Sequence, residues 1–262
     1  MKINTKKLLH NDRSLMLACD QGLEHGPKDF NLKNIDPQYI FDIAHEGRYN
    51  AVIVQSGIAE KFYHGPYRDI PLVVKINGKT SLLSGEPISP QICSVDRALK
   101  IGASAIGYTL YPGSEHEGAI YENFGKVVEQ AHDYGIPVIA WMYPRGKNIP
   151  NDIDTEILAY SARIGQELGA DILKMKYNGD KEAYKWVVRN AGRAKLMVAG
   201  GVKGTPAEFL QKTKDVLDAG ATGMAIGRNV WQSEQPFTIT HALRDLMFNH
   251  RSVQDVLKYF EK

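Results

Sequence analysis

The chain has 262 residues, 43% of them hydrophobic, which suits one sizeable core and is the usual length of an α/β barrel. Its 32 basic and 30 acidic residues nearly cancel, so the charge balance calls for neither nucleic acid nor an anionic membrane as partner, whereas a small anionic ligand needs only a local basic site. Cys19 and Cys93 are the two cysteines; they give no disulfide framework and are expected as reduced thiols. No window approaches ~18 continuous apolar residues, so no transmembrane helix is expected. The Lys-rich stretch Met1–Asp12 lacks the apolar core of a secretory signal. The expectation is a cytoplasmic, soluble protein.

After that basic lead-in, Ser14–Asp20 reads as a buried strand, followed by a Gly- and Pro-bearing loop from Gln21 to Pro27. Asp36 and Pro37 open a helix through about Gly47, with Asp36 as N-cap and Pro37 at the first helical position. Ala51–Gln55 is the second strand, Gly57–His64 a short helix and Leu72–Asn77 the third strand. Gly78–Pro90 is long and polar, as expected of a functional loop. Ser94–Gly102 is a helix with a Ser cap and a Gly stop. Ala105–Tyr111 is strand four, Ser114–Gly135 a long helix and Val138–Tyr143 strand five. A helix over Thr155–Gly169 precedes strand six, Ile172–Tyr177. Another over Asp180–Gly192 precedes strand seven, Leu196–Ala199. Thr205–Gly220 is a helix capped by Thr205, Gly223–Ile226 is strand eight, and helices over Phe237–Asn249 and Ser252–Phe260 finish the chain.

The strands are short and rich in Val, Ile and Leu, as expected when both faces are buried. Hairpin signals between them are scarce, which predicts parallel strands joined by right-handed helical crossovers. Eight such units predict closure into a (β/α)₈ TIM barrel. An open doubly wound sheet would carry G-x-G-x-x-G after strand one, and Asp20–Pro27 lacks that spacing. One domain over residues 1–262 is expected, with the barrel at about 14–250 and a C-terminal helix.

In such a barrel, functional side chains gather at the C-terminal strand ends. Here those ends carry Asp20, Lys75 and Asn77, the run Trp141–Arg145, Lys174 and Lys176, Gly200–Gly201, and Gly227–Arg228. Glycines after strands seven and eight let backbone N–H groups approach an anion, the following helix starts add their positive dipole ends, and Arg228 supplies charge-assisted bonds. Both turns therefore predict a phosphate site. On strand six, Ile172, Lys174 and Lys176 fall on one face and Leu173, Met175 and Tyr177 on the other. With the apolar face against the helices, the two lysines point into the barrel, ~7 Å apart along the backbone. Desolvation and mutual repulsion then favour a neutral amine, which could attack a carbonyl and form a Schiff base. Tyr143 and Asp20 are the proton-handling candidates. The residues alone leave open whether the lysines are nucleophiles or salt-bridged rim residues, and do not rank the pair. A metal mechanism would need converging ligands. Of the eight histidines, only His25 sits clearly in a strand-end loop, with His116 a weaker candidate, so no metal site is expected.

Taken in order, ACDQGLEHGPKDF, KINGKTSL, GYTLYPGS, WMYPRGK, GADILKMKYNGD and AIGRNVWQ resemble the archaeal-type class I fructose-1,6-bisphosphate aldolases, members of the wider DeoC/DhnA-type Schiff-base aldolases. The likeness runs from about Ser14 to Trp231. It implies a TIM barrel, no metal or other cofactor, a sugar-phosphate substrate, a place in glycolysis and gluconeogenesis, and a homo-oligomer. By position, it implies Lys174 as the Schiff-base lysine, Tyr143 as proton donor and Asp20 as catalytic aspartate. It further implies substrate and phosphate contacts at Gln21, His25, Asp29, Arg145, Lys176, Ala199, Gly200, Gly201, Gly227 and Arg228. Two departures are visible: Gln21 stands where a histidine is common, and Ala199–Gly204 reads AGGVKG where relatives often read Ser-Gly-Gly-Pro-Lys-Thr. A related aminodeoxyheptulosonate synthase of aromatic biosynthesis shares MYPRGK and AGG. The segments GLEHGP, KINGKTSL and KMKY favour the aldolase. A non-catalytic sugar-phosphate-binding barrel would need the glycine turns and no nucleophile.

Overall fold

The computed structural model describes residues 3–261; Met1, Lys2 and Lys262, at the ends of the expected lead-in and terminal helix, lie outside the described residues. The strands are β1 (Ser14–Ala18), β2 (Ala51–Gln55), β3 (Leu72–Lys75), β4 (Ala105–Leu110), β5 (Val138–Met142), β6 (Ile172–Met175), β7 (Lys195–Ala199) and β8 (Gly223–Ile226). They pair in sequence order, all parallel, and β8 closes on β1. This is the expected (β/α)₈ barrel.

Strand alternation divides the apolar residues into two shells. Met16, Ile53, Val73, Ile139, Ile172 and Met197 point inward and fill the barrel, with Leu8 of the N-terminal segment joining them. Ser14 Oγ donates to the Leu8 carbonyl at 2.7 Å and ties that segment in place. Leu15, Leu17, Val74, Leu173, Met175 and Val198 point outward, into a layer shared with the helices. Leu173 and Met175 are fully buried there, each worth about 1.5–3 kcal/mol in burial. A one-residue slip of β6 would exchange them with Lys174. The outward pair therefore fixes the register that aims the lysine inward.

Several helix starts match their sequence signals. Ser94, Asp154 and Asp180 accept from first-turn N–H groups, and Thr205 with Glu208 forms a capping box. The second helix starts at Gln38, one residue after Pro37, although Asp36 still accepts from the Gln38 N–H at 2.9 Å. Two short helical turns, Gly22–His25 and Gly26–Asp29, occupy what reads as loop. The larger correction concerns strand ends. Asp20, Asn77, Tyr143 and Lys176 lie one or two residues past the strands assigned to them. The pairing stops short of them, and their side chains find other partners at the mouth. Asn77 shows why. Its Nδ2 donates to Ser89 O at 3.0 Å and Thr109 O at 2.9 Å, and its Oδ1 accepts from Thr109 N–H at 2.8 Å. It is a clamp at the base of the 78–90 loop.

Candidate active site

The inward face of β6 brings Lys174 to the upper layer of the barrel, where its neighbours come from three other strands. Trp141 of β5 is its register partner, and the Lys174 Nζ lies 4.7 Å from the indole centroid. That indole needs space on β4. A Cβ on Gly107 would fall 2.5 Å from the indole Cη2, so the glycine is what lets Trp141 lie across the barrel. Asp20, just past β1, and Lys75, at the end of β3, complete the group. Asp20 Oδ1 is 3.8 Å from Lys174 Nζ, and Asp20 Oδ2 is 3.5 Å from Lys75 Nζ. All three side chains are buried.

Charge is therefore concentrated where water is scarce. Burial holds the Lys174 amine below its ordinary value of 10.5; the Asp20 carboxylate opposes this and the Lys75 ammonium adds to it. Burial alone would push the Asp20 carboxyl up, but the ammonium groups of Lys174 and Lys75 together hold it below the ordinary 3.8. Tyr143 is pushed above the ordinary 10 by burial and by the Asp20 carboxylate, so its phenol keeps its proton at neutral pH. The ammonium that disfavours charge on Lys174 is thus Lys75. Lys176, expected in that part, is instead engaged by Asp152 and is half-buried near the rim.

Above this layer the mouth is lined by cations, each held by a carboxylate. The Arg145 guanidinium lies 5.4 Å from the Tyr143 ring centroid and reaches Glu24 at 3.5 Å and Asp152 at 3.9 Å. Arg228 meets Asp29 at 3.5 Å, and the other Asp29 oxygen is 2.6 Å from His25 Nδ1. The two glycine turns sit side by side. Asn229, buried behind them, donates from Nδ2 to Gly200 O at 3.3 Å and Val202 O at 3.1 Å, while its Oδ1 accepts from Gly204 N–H at 3.1 Å. Gly201 has φ +80°, which favours glycine. A helix begins at Arg228, directly after Gly227. After β7 the helix begins only at Pro206, so a helix start adjoins one turn and not both.

One cavity of about 190 Å³ gathers Asp20, Tyr143 and Lys174 with Gln21, His25, Arg145 and Lys176, and with the turn residues Ala199, Gly200, Gly201, Gly227 and Arg228. Asp29 is the exception among the expected contacts. It stands behind the wall, accepting from His25 and Arg228, so it can orient those groups but does not line the cavity. Gln21 Nε2 and Trp141 Nε1, on two of the lining residues, are buried with no hydrogen-bond partner among the described residues, as are side-chain oxygens of Tyr39, Gln55, Thr109 and Tyr177 away from the cavity. Lys75, Trp141 and Glu24 also line the cavity. Lys75 and Trp141 had a signal, polar or bulky residues at the ends of strands three and five. Glu24, Asp152 and Asn229 had none, because their positions depend on how the segments beyond the strand ends fold back. Among the described residues, no group of three or more His, Cys, Asp or Glu is arranged to hold a metal ion. His116 lies at the start of a helix against Glu115 at 3.8 Å. Both cysteines are free, and burial beside Asp20 and Asp29 pushes the Cys19 thiol up to about 12.

Residues 14–233 match the DeoC/LacD family aldolases. The chain is 43% identical over 248 residues to the fructose-bisphosphate aldolase class 1 of Thermoproteus tenax, a match covering 94% of this chain and 93% of that one. A crystal structure of an archaeal fructose 1,6-bisphosphate aldolase superposes with a TM-score of 0.88 at 43% identity, over 94% of this chain and 96% of that one. A second structure, also of an archaeal fructose-1,6-bisphosphate aldolase, has the catalytic Lys covalently bound to the carbinolamine intermediate of the substrate. It superposes with a TM-score of 0.87 at 42% identity, over 94% of this chain and 96% of the other. Sequence and fold agree along nearly the whole length, and the chain belongs to the DeoC/LacD aldolase family.

Proposed function

We propose that the chain is a class I fructose-bisphosphate aldolase, which reversibly cleaves fructose 1,6-bisphosphate to dihydroxyacetone phosphate and glyceraldehyde 3-phosphate through an imine on Lys174. The observation that carries this is the Lys174 amine itself, buried at the barrel mouth beside Asp20, its basicity lowered by burial. The covalent lysine intermediate of a relative 42% identical supports the same chemistry.

The neutral Lys174 amine adds to the C2 carbonyl of the open-chain ketose and gives a carbinolamine. Loss of water leaves a protonated imine. That cation withdraws electrons from C3. Removal of the C4 hydroxyl proton then breaks the C3–C4 bond, releasing glyceraldehyde 3-phosphate and leaving an enamine. Protonation of the enamine at C3 and hydrolysis of the imine release dihydroxyacetone phosphate and restore the amine. Tyr143 donates and recovers these protons, a role suited to a phenol held protonated at neutral pH. Asp20 orients the amine and assists proton transfer during imine formation or C–C cleavage. The turns at Ala199–Gly201 and Gly227–Arg228 hold one phosphate. Arg145, Lys176, His25 and the unpartnered Gln21 amide receive the other end of the substrate, with Asp29 steadying His25 and Arg228.

The same proposal makes the protein a metal-independent enzyme of glycolysis and gluconeogenesis, cytoplasmic and homo-oligomeric, with no nucleic-acid or membrane partner. Among the described residues, no helix is long and apolar enough to cross a membrane. An assay panel tests the substrate class: fructose 1,6-bisphosphate, fructose 1-phosphate, fructose 6-phosphate and the substrates of the aminodeoxyheptulosonate synthase, each with and without EDTA. Cleavage of the bisphosphate at the highest kcat/KM, unchanged by EDTA, is expected. Preference for the synthase substrates would move the protein to aromatic biosynthesis. Loss of activity in EDTA that zinc restores would remove the Schiff-base route.

A further inference from the structure

The site holds two lysines around one carboxylate, and the imine mechanism above uses only one of them. Lys75 is as deeply buried as Lys174, at 5% exposure. The barrel beneath offers it only apolar neighbours such as Val73 and Ile139. A buried ammonium there is costly unless paired, and Asp20 is its partner at 3.5 Å. Asp20 also faces Lys174 at 3.8 Å through its other oxygen. Two protonated amines against one carboxylate would leave an uncompensated positive charge among buried side chains. The group is balanced when one amine gives up its proton. Lys75 is the closer to the carboxylate. The indole of Trp141, nearer to Lys174 at 4.7 Å than to Lys75 at 5.9 Å, pulls the other way and favours charge on Lys174. Without Lys75, both Asp20 and Trp141 would therefore favour the charged form of Lys174, opposed by burial alone.

We propose that Lys75 is a positioning residue for imine formation: its ammonium occupies Asp20 and so leaves the Lys174 amine neutral and free to attack. This rests on Lys174 being the imine-forming residue. Charged neighbours of the Lys174 amine come from few directions. Asp20 approaches from the end of β1, Lys75 from β3 and Tyr143 from the end of β5. Just past the end of its own strand, Lys176 is held by Asp152, and the inward residues Ile53, Gly107, Met197 and Ala225 of β2, β4, β7 and β8 carry no titratable group. Among the described residues, Lys75 is thus the one that repels a proton from Lys174 at close range.

Trace acetylation with acetic anhydride across pH 6–11, read at each lysine by peptide mass spectrometry, measures amine protonation without any substrate. In the wild-type protein Lys174 is expected to become reactive below the ordinary lysine value of 10.5; a midpoint at or above it would overturn the proposal, and this arm needs no variant. In Lys75→Met and Lys75→Gln the Lys174 reactivity midpoint is expected to rise by about one pH unit or more. Turnover of fructose 1,6-bisphosphate at pH 7 should then fall about tenfold, mainly in kcat, and recover as pH is raised. Lys75→Arg, which keeps the charge, is expected to retain the wild-type midpoint. An unchanged Lys174 midpoint in both neutral variants would overturn the proposal. A shifted midpoint in a protein that cleaves no sugar phosphate would uphold the charge arrangement and sink the aldolase assignment, so the two failures are distinct.

Discussion

Lys174→Met is expected to abolish cleavage of fructose 1,6-bisphosphate, lowering kcat by about 10⁴-fold or more, while leaving the barrel folded and at least as stable as wild type near pH 7. The loss of rate is large because the amine is the covalent catalyst; without it the electron sink that lets C3–C4 break does not form. The gain in stability follows from burial. Methionine has nearly the length of lysine, so it can fill the same space against Trp141 with little repacking. It also removes a group whose basicity is depressed in the folded state. Between that depressed value and the ordinary 10.5, the unfolded chain binds more protons than the folded one, so wild-type stability rises with pH across that window. The variant lacks this dependence. Its advantage is therefore greatest below the folded-state value and vanishes above about 10.5. Urea denaturation at several pH values, beside a steady-state assay, checks both halves. Turnover within tenfold of wild type would remove Lys174 from the chemistry, whereas sugar-phosphate binding without turnover in wild type and variant alike would point to a non-catalytic sugar-phosphate-binding barrel.

Asp20→Asn is expected to damage both fold and rate, with a pH signature opposite to that of the neutral Lys75 variants. Asp20 faces the Lys75 ammonium and the Lys174 amine in a buried site, and removing one partner of a buried ion pair costs about 3–5 kcal/mol. The lower end is expected, because the neutral Lys174 amine leaves Lys75 as the one ammonium that loses its partner. The folded-state carboxyl lies below its ordinary 3.8. Its contribution is thus fully present above 3.8 and is lost as pH falls through the folded-state value, so the two proteins converge in stability in strong acid. In catalysis, loss of the group that orients the amine and handles its proton should lower kcat by about 10²–10⁴-fold. The Asp20 carboxylate favours the charged amine, so the rising limb of the pH–rate profile should move to lower pH in the variant. A limb that moves to higher pH, or a kcat close to wild type, would contradict the role given to Asp20.

The barrel was readable because its strands are short, apolar and regularly separated by capped helices, and because alternation in KMKY can place Lys174 inward in only one register. The strand ends were less readable. Asp20 and Asn77 continue an apolar run by letter, yet they lie beyond the pairing, and only the folded neighbours decide that one meets two lysines while the other clamps a loop. The like-charge partner was misassigned for a related reason. Lys176 is two residues from Lys174 in sequence, but the chain turns it toward Asp152, whereas Lys75, 99 positions away, meets the same carboxylate as Lys174. Proximity across a closed barrel depends on which strands face each other, and no local pattern carries that. Asp29 was expected in the cavity on resemblance alone; its two oxygens are taken by His25 and Arg228, which places it behind them. Glu24 and Asp152, which face Arg145 in the mouth, reach it from segments far apart in the chain.

Borohydride reduction in the presence of dihydroxyacetone phosphate, followed by peptide mapping, tests the central claim most directly. An imine on Lys174 requires irreversible inactivation and a single reduced adduct on the peptide that contains this residue, located at Lys174. An adduct on Lys176 or Lys75, or full activity with no adduct in a protein that still cleaves fructose 1,6-bisphosphate, would contradict it.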